Sequence, residues 1–272
     1  MLTATRRLAT LAENDVSASG RPRVQVSLLG GLRLRCDGVR IDNRLSARSQ
    51  LVCARLLLQP GEALNRDDIA FTLWPDSSES EARAALRREL YKIQRAFPPS
   101  NEPWILCDAR TIAWAAGAEA WVDVVEFEQL CRDPATVERA IELYGGPFAP
   151  QLDHEWASAL RDRLARSYSD ALELAIKRRG TAGDVAGTLF YVERLLKHDP
   201  WREDAVCGLI LLRCRLGDRA GALSFYRQFC GRLRDEFGVA PMPETTAYYE
   251  RIARGNVTFE PNKFAAALVV GS

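Results

Sequence analysis

From Val24 to Ile41 apolar and polar positions alternate: Leu32, Leu34 and Cys36 are separated by Arg33 and Arg35. Period two predicts strands with one buried and one wet face, and Gly30-Gly31 and Asp37-Gly38 break the run into a short antiparallel sheet. From Ser46, an N-cap residue, the period changes. Leu51, Ala54 and Leu58 recur at helical spacing until Pro60-Gly61. Asn65 caps a second, short helix carrying Ile69 and Leu73, which ends at Trp74-Pro75. After Asp76-Ser77-Ser78 a third helix is predicted over 79–97, with Ala82, Leu86, Leu90, Ile93 and Phe97 in one stripe. Residues 104–107 and 111–114, joined by the polar turn Asp108-Ala109-Arg110, read as a β-hairpin.

From about Ala120 the pattern is helical almost throughout. Asp123 can cap a helix with Val124, Phe127 and Leu130. After Gly145-Gly146-Pro147 a long helix begins near Asp153 and keeps Trp156, Leu160, Leu164, Tyr168, Ala171 and Ala175 on one stripe until Gly180. Within this half, Gly183-Asp184-Val185-Ala186-Gly187-Thr188-Leu189 matches Gly217-Asp218-Arg219-Ala220-Gly221-Ala222-Leu223 at five of seven positions, offset by 34 residues. That offset is the period of tetratricopeptide helix-turn-helix repeats. The stripe Leu189, Val192, Leu196 maps onto Leu223, Tyr226, Cys230. A last short helix runs to about Ala253.

The outward face of the 79–97 helix carries the chemical signal. At about 100° per residue, Ser80, Ala84, Arg88, Tyr91, Lys92 and Arg95 point away from the stripe, flanked by Arg83 and Arg87. Five basic side chains and one acidic one, Glu89, fall within 83–95. Guanidinium groups so placed can meet guanine edges or phosphates in a major groove; a solvated charged face is the plain alternative. The order of elements favours the first. Three helices followed by a hairpin make a winged helix-turn-helix, whose third helix reads DNA, and Arg110 stands at the hairpin tip, in reach of a phosphate or a minor groove. The expected fold is therefore an α+β winged helix-turn-helix at 24–118, followed by an all-α tetratricopeptide-like domain at 119–254, with tails at 1–23 and 255–272.

Charge sharpens this. The chain of 272 residues has a net charge of +1, but residues 1–118 hold 17 Lys/Arg against 13 Asp/Glu, and the remainder 20 against 23. So modest a bias (+4 and −3) implies affinity from a few placed arginines. Seven cysteines with no CxxC pair argue against a disulfide framework or a zinc ribbon. Neither His154 nor His198 sits at ligand spacing, and phosphate-binding glycine loops and a GxSxG elbow are missing. The chain reads as a binding protein: no enzyme, no cofactor, no metal. No apolar run approaches the ~20 residues of a membrane span, and no signal-peptide stretch opens the chain, so a cytoplasmic location with no membrane partner is expected.

In order along the chain, these residues resemble the SARP-type antibiotic regulatory proteins, an OmpR-type winged helix followed by a bacterial transcriptional activator domain. The N-terminal markers are Leu28-Leu29-Gly30, Leu73-Trp74-Pro75-Asp76 and Ala85-Leu86-Arg87-Arg88-Glu89-Leu90-Tyr91. The C-terminal ones are Val122–Phe127, Tyr144-Gly145-Gly146-Pro147-Phe148, Asp199-Pro200-Trp201-Arg202-Glu203 and Phe237–Glu244. The resemblance implies binding to double-stranded promoter DNA at direct repeats, two copies on the DNA, and recruitment of RNA polymerase. It places the DNA contacts on Ser80, Arg83, Ala84, Arg87, Arg88, Tyr91, Lys92 and Arg95, with Arg110 on the wing. Ile112-Ala113-Trp114 replaces the Gly-Tyr common in family wings, and Ala84 can offer a base only a methyl contact. The competing reading is a tetratricopeptide-like interaction or ligand-sensing module whose winged helix does not bind DNA, with Trp156, Tyr191, Trp201 and Tyr226 as candidate pocket aromatics.

Overall fold

A computed structural model describes residues 24–59, 61–100, 103–115 and 120–254; the expected tails at 1–23 and 255–272, and Pro60, lie outside the described residues. The described chain divides into two compact units, 24–127 with 145–161 and 128–144 with 162–254.

The first unit opens with a four-stranded sheet ordered β3-β2-β1-β7. β1 (Val24–Ser27) pairs antiparallel with β2 (Arg33–Cys36), Val24 opposite Cys36 and Val26 opposite Leu34. Those four side chains are buried while Arg33 and Arg35 face water, as the period-two pattern requires. Asp37 and Gly38 both take positive φ, at 49° and 77°, in the tight turn to β3 (Val39–Arg40). The fourth strand, β7 (Ala120–Val122), differs from the expected helical reading of that stretch: it lies parallel to β1, with Val26 opposite Val122. Three residues are too few to display a period.

Three helices follow: α1 (Ala47–Leu57), α2 (Arg66–Leu73) and α3 (Glu79–Ala96). The first two begin at the caps that the sequence places, and the third at the end of the Asp76-Ser77-Ser78 segment. The Ser46 hydroxyl accepts from the Ser49 N–H at 3.1 Å, and the Asn65 side chain from the Asp67 N–H at 2.8 Å. Ser78 donates its backbone N–H (3.0 Å) and its hydroxyl (2.6 Å) to Glu81, three residues on. A second sheet, ordered β4-β6-β5, holds the wing: β5 (Ile105–Cys107) and β6 (Thr111–Trp114) form the expected hairpin, and the unforeseen two-residue β4 (Leu64–Asn65) pairs with β6. The fold is the expected winged helix-turn-helix.

Two buried features tie this unit together. Asp123, the first residue of α4 (Asp123–Arg132), accepts the backbone N–H groups of Leu28 (2.8 Å) and Leu29 (2.9 Å). The Gly145–Phe148 segment lies against Leu28–Gly30, with the Gly30 N–H donating to the Pro147 carbonyl at 2.9 Å. Gly30 has φ +88°, and a Cβ there would stand 2.8 Å from the Gly145 oxygen, so only glycine fits. Three of the sequence markers thus meet in space.

The second unit is helical: α5 (Val137–Leu143), the greater part of α6 (Glu155–Thr181), α7 (Val185–His198), α8 (Glu203–Arg215), α9 (Arg219–Phe237) and α10 (Pro243–Ala253). α7 packs on α8, α8 on α9, and α10 on α8 and α9. The 34-residue repeat is structural. Gly183 and Gly217 take positive φ (74° and 85°) at the turns, and Asp184 and Asp218 then cap α7 and α9 through the N–H groups of Gly187 (2.8 Å) and Gly221 (2.9 Å). Gly187 and Gly221 leave room for those carboxylates, which a Cβ would strike. The inward stripe pairs Thr188 with Ala222, Val192 with Tyr226 and Leu195 with Phe229, all buried. It is rotated one position from the leucine pattern, since Leu189 and Leu223 are only half-buried.

Candidate nucleic-acid interface

α3 is positioned by its stripe. Ala82, Ala85, Leu86, Leu90, Ile93 and Ala96 are buried, packed against α1 and α2. At its end Phe97 meets Trp104 at 5.1 Å and Trp114 at 5.2 Å, and the Trp104 indole N–H donates to the Pro98 carbonyl at 2.9 Å. These rings anchor the wing to the helix, so Trp114 serves as core in the place where family wings differ.

The opposite face is open. Ser80, Arg83, Arg87, Arg88, Tyr91, Lys92 and Arg95 are exposed, and Ala84 is half-buried. Among the described residues no hydrogen bond or ion pair engages the guanidinium of Arg87 or Arg88. Tyr91 is 60% exposed, an unusual place for a large ring, and Arg95 lies over it at 5.7 Å while donating to its hydroxyl at 3.0 Å.

Arg83 is bound within the fold. It donates to both oxygens of Asp67 on α2 (2.8 and 3.0 Å), pairs with Glu79 at 3.2 Å and lies over the Phe71 ring at 5.4 Å. Hydrogen bonding from Arg83 holds the Asp67 carboxyl below its ordinary range.

Glu89 does not belong to the outward face. It is buried, its carboxylate accepting from the hydroxyls of Ser46 (2.9 Å) and Ser49 (2.5 Å) on the α1 N-terminal turn and from Lys92 (2.7 Å). Burial raises its pKa, but the bonds from Lys92, Ser49 and Ser46 outweigh that and leave it below the ordinary glutamate value. With Glu89 turned inward, the outward surface of 83–95 carries no carboxylate.

At the wing tip the Asp108 carboxylate accepts the backbone N–H groups of Arg110 (2.7 Å) and Thr111 (2.6 Å) and the Thr111 hydroxyl (2.7 Å), an arrangement that fixes a tight polar turn. Arg66 spans from α2, donating its backbone N–H to the Arg110 carbonyl at 2.9 Å and its side chain to the Asp108 carbonyl at 2.5 Å. The Arg110 side chain is exposed. No group of three or more His, Cys, Asp or Glu among the described residues is arranged to hold a metal ion.

The candidate pocket aromatics take ring neighbours of their own. Trp156 meets Phe148 at 6.0 Å, Tyr191 meets Phe190 at 5.1 Å, Trp201 meets Phe237 at 4.8 Å, and Tyr226 stacks on Tyr249 at 4.1 Å. A cavity of about 390 Å³ in the helical unit is lined by other residues, among them Glu128, Cys131, Arg163 and Asp170.

Residues 122–253 match the family model described as the bacterial transcriptional activator domain. Regulatory protein AfsR of Streptomyces coelicolor is 24% identical over 264 residues, which are 92% of this chain and 26% of AfsR. The helical half of the chain thus carries the bacterial transcriptional activator domain that the resemblance to SARP-type regulators implies. Transcriptional regulatory protein EmbR of Mycobacterium tuberculosis is 23% identical over 257 residues, 88% of this chain and 65% of EmbR. The chain therefore spans about a quarter of AfsR and somewhat under two thirds of EmbR. The solved structure of Mycobacterium tuberculosis EmbR in complex with a low affinity phosphopeptide superposes with a TM-score of 0.64 at 18% identity, covering 92% of this chain and 70% of that one, a likeness of fold. No helix among the described residues is long and apolar enough to cross a membrane.

Proposed function

We propose that this chain is a SARP-type, sequence-specific DNA-binding transcriptional regulator, an activator that recruits RNA polymerase at a promoter from the cytoplasm, and that it is not an enzyme. The observation that carries the reading is the outward surface of residues 83–95 in α3, which carries no carboxylate and has at its centre the guanidiniums of Arg87 and Arg88, unengaged among the described residues. Helix α3 enters the major groove. Arg88 and Arg87 meet guanine edges or phosphates, Ala84 touches a thymine methyl, and the Tyr91–Arg95 pair offers a ring and a cation together. Ser80 at the helix N-terminus and Lys92 take phosphates, and Arg110 reaches a phosphate or the minor groove from the wing. Arg83, tied to Asp67, sets the angle of α3 against α2 and reaches DNA only by leaving that pair. Two copies occupy direct repeats.

Arg88→Ala tests the assignment. A bidentate guanine contact is worth about 1–3 kcal/mol, so the variant loses on the order of ten- to a hundred-fold in affinity for a selected site and discriminates less at one base pair. Unchanged affinity, measured by fluorescence anisotropy on that site, removes Arg88 from the interface. The observed 34-residue repeat favours one further reading, that of an interaction module whose winged helix does not touch DNA. Failure of random duplexes to yield any enriched sequence would select it.

A further inference from the structure

Two sequence markers that DNA reading leaves without a role meet in the helical unit. The indole of Trp201 approaches the Phe237 ring at 4.8 Å, edge to face, and the Glu203 carboxylate accepts the Met242 backbone N–H at 2.9 Å. Gly238, at φ +70°, ends α9 and turns the chain back toward α10. The corner so formed leaves large apolar groups in water: Phe237 is 55% exposed, Val239 51% and Met242 61%. Single exposed apolar residues are ordinary. Three within six positions, beside an indole, make a contiguous patch of the kind that marks an interaction site. The mixture is also that of an anchor surface, with aromatic rings and an adaptable thioether.

The rim identifies the partner. Glu203 is bonded to the corner, the exposed Asp235, Glu236 and Glu244 adjoin it along the chain, and Arg234 is the sole cation within residues 234–244. Nearby Arg202 is already paired with Glu173 and Asp204. An acidic rim around an apolar centre complements a surface that is apolar and basic, and it repels its own copy, so an isologous dimer through this corner is disfavoured. We propose that the Trp201–Phe237–Met242 corner docks the apolar face of a basic amphipathic helix of a protein partner. This surface is separate from the DNA-reading face and stands whether or not α3 reads DNA.

The test uses the full chain and a labelled synthetic helix of leucine and lysine, leucines at i, i+3, i+4 spacing, read by fluorescence anisotropy. A leucine–glutamate helix of the same pattern is the control. The wild-type chain binds the lysine helix and not the glutamate helix. Binding falls about tenfold in the Phe237→Ala/Met242→Ala double variant and again about tenfold in Glu236→Lys, which keeps the apolar groups and alters only the rim. The three substituted residues, Phe237, Met242 and Glu236, are solvent-exposed, and melting curves check that each variant folds. Equal binding by all variants, or equal binding of the two peptides, overturns the proposal. Self-association of the wild-type chain that Met242→Asp abolishes assigns the corner to a second copy and also overturns it.

Discussion

Glu89→Ala is the sharpest test of how the reading helix is held. Replacing the carboxylate with a methyl group leaves the buried Ser49 hydroxyl, now 2.5 Å from its acceptor, and the Ser46 hydroxyl, at 2.9 Å, without their partner. A buried donor left unpaired costs about 1–3 kcal/mol. The pair with Lys92 adds little, because that lysine's side chain is 52% exposed and water screens it. The expected loss is therefore about 1–3 kcal/mol, chiefly from the buried Ser49 bond, since Ser46 is exposed to water and keeps its contact with the Ser49 hydroxyl at 3.1 Å. Denaturant unfolding followed by tryptophan fluorescence reads it, since five of the six tryptophans lie in the winged-helix unit. Glu89→Gln keeps the shape and one acceptor oxygen and should lose less. The pH dependence carries a sign: a carboxyl with a depressed folded pKa contributes stability above the ordinary glutamate range and loses it as pH falls through the folded value. The gap between wild type and Glu89→Gln should then close in acid. A loss under about 1 kcal/mol for the alanine variant, or a gap that widens in acid, refutes this account of Glu89.

Three further outcomes follow from the geometry. Burial pushes Asp123 up to about 6, against the pull of the Leu29 and Leu28 N–H bonds; the stability its proton carries is whole below the ordinary aspartate pKa and lost as pH rises through about 6, so Asp123→Asn should gain on wild type by up to about 3 kcal/mol between pH 4 and 7 in a denaturation series, and a flat difference contradicts it. In the repeat, Gly187→Ala and Gly221→Ala each drive a Cβ into the capping aspartate and should cost about 1 kcal/mol apiece; variants as stable as wild type in thermal melts mean the caps do not hold α7 and α9. Arg83→Ala should weaken DNA binding while leaving the slope of log affinity against log salt unchanged, and Asp67→Asn should do the same, whereas a slope reduced by about 0.9 in the arginine variant makes Arg83 a phosphate contact.

The winged helix was legible because Ser46 and Asn65 announce the caps of its first two helices, because Asp76-Ser77-Ser78 leads into the third, and because β1 and β2 alternate cleanly. β4 and β7 were not legible. Strands of two and three residues have no period, and their partners lie far along the chain. Within α3, the same wheel that exposes Arg88 places Glu89 and Arg83 about 60° either side of Leu86, on the inward arc. That much could have been read from the sequence. What could not is the reason they tolerate it: Ser46 and Ser49 lie 43 and 40 residues before Glu89, and Asp67 lies 16 before Arg83, none with a local signal. The repeat was legible as a period, but its Gly and Asp residues show their purpose only as a left-handed turn and a capping carboxylate.

The most direct test of the central proposal is selection of random duplexes by the purified full chain, followed by footprinting of the enriched site. The proposal predicts an enriched motif containing guanine, repeated in the same orientation, with affinity that falls steeply with salt and drops in Arg88→Ala. Recovery of no motif above the starting pool, with binding indifferent to Arg87 and Arg88, would contradict it.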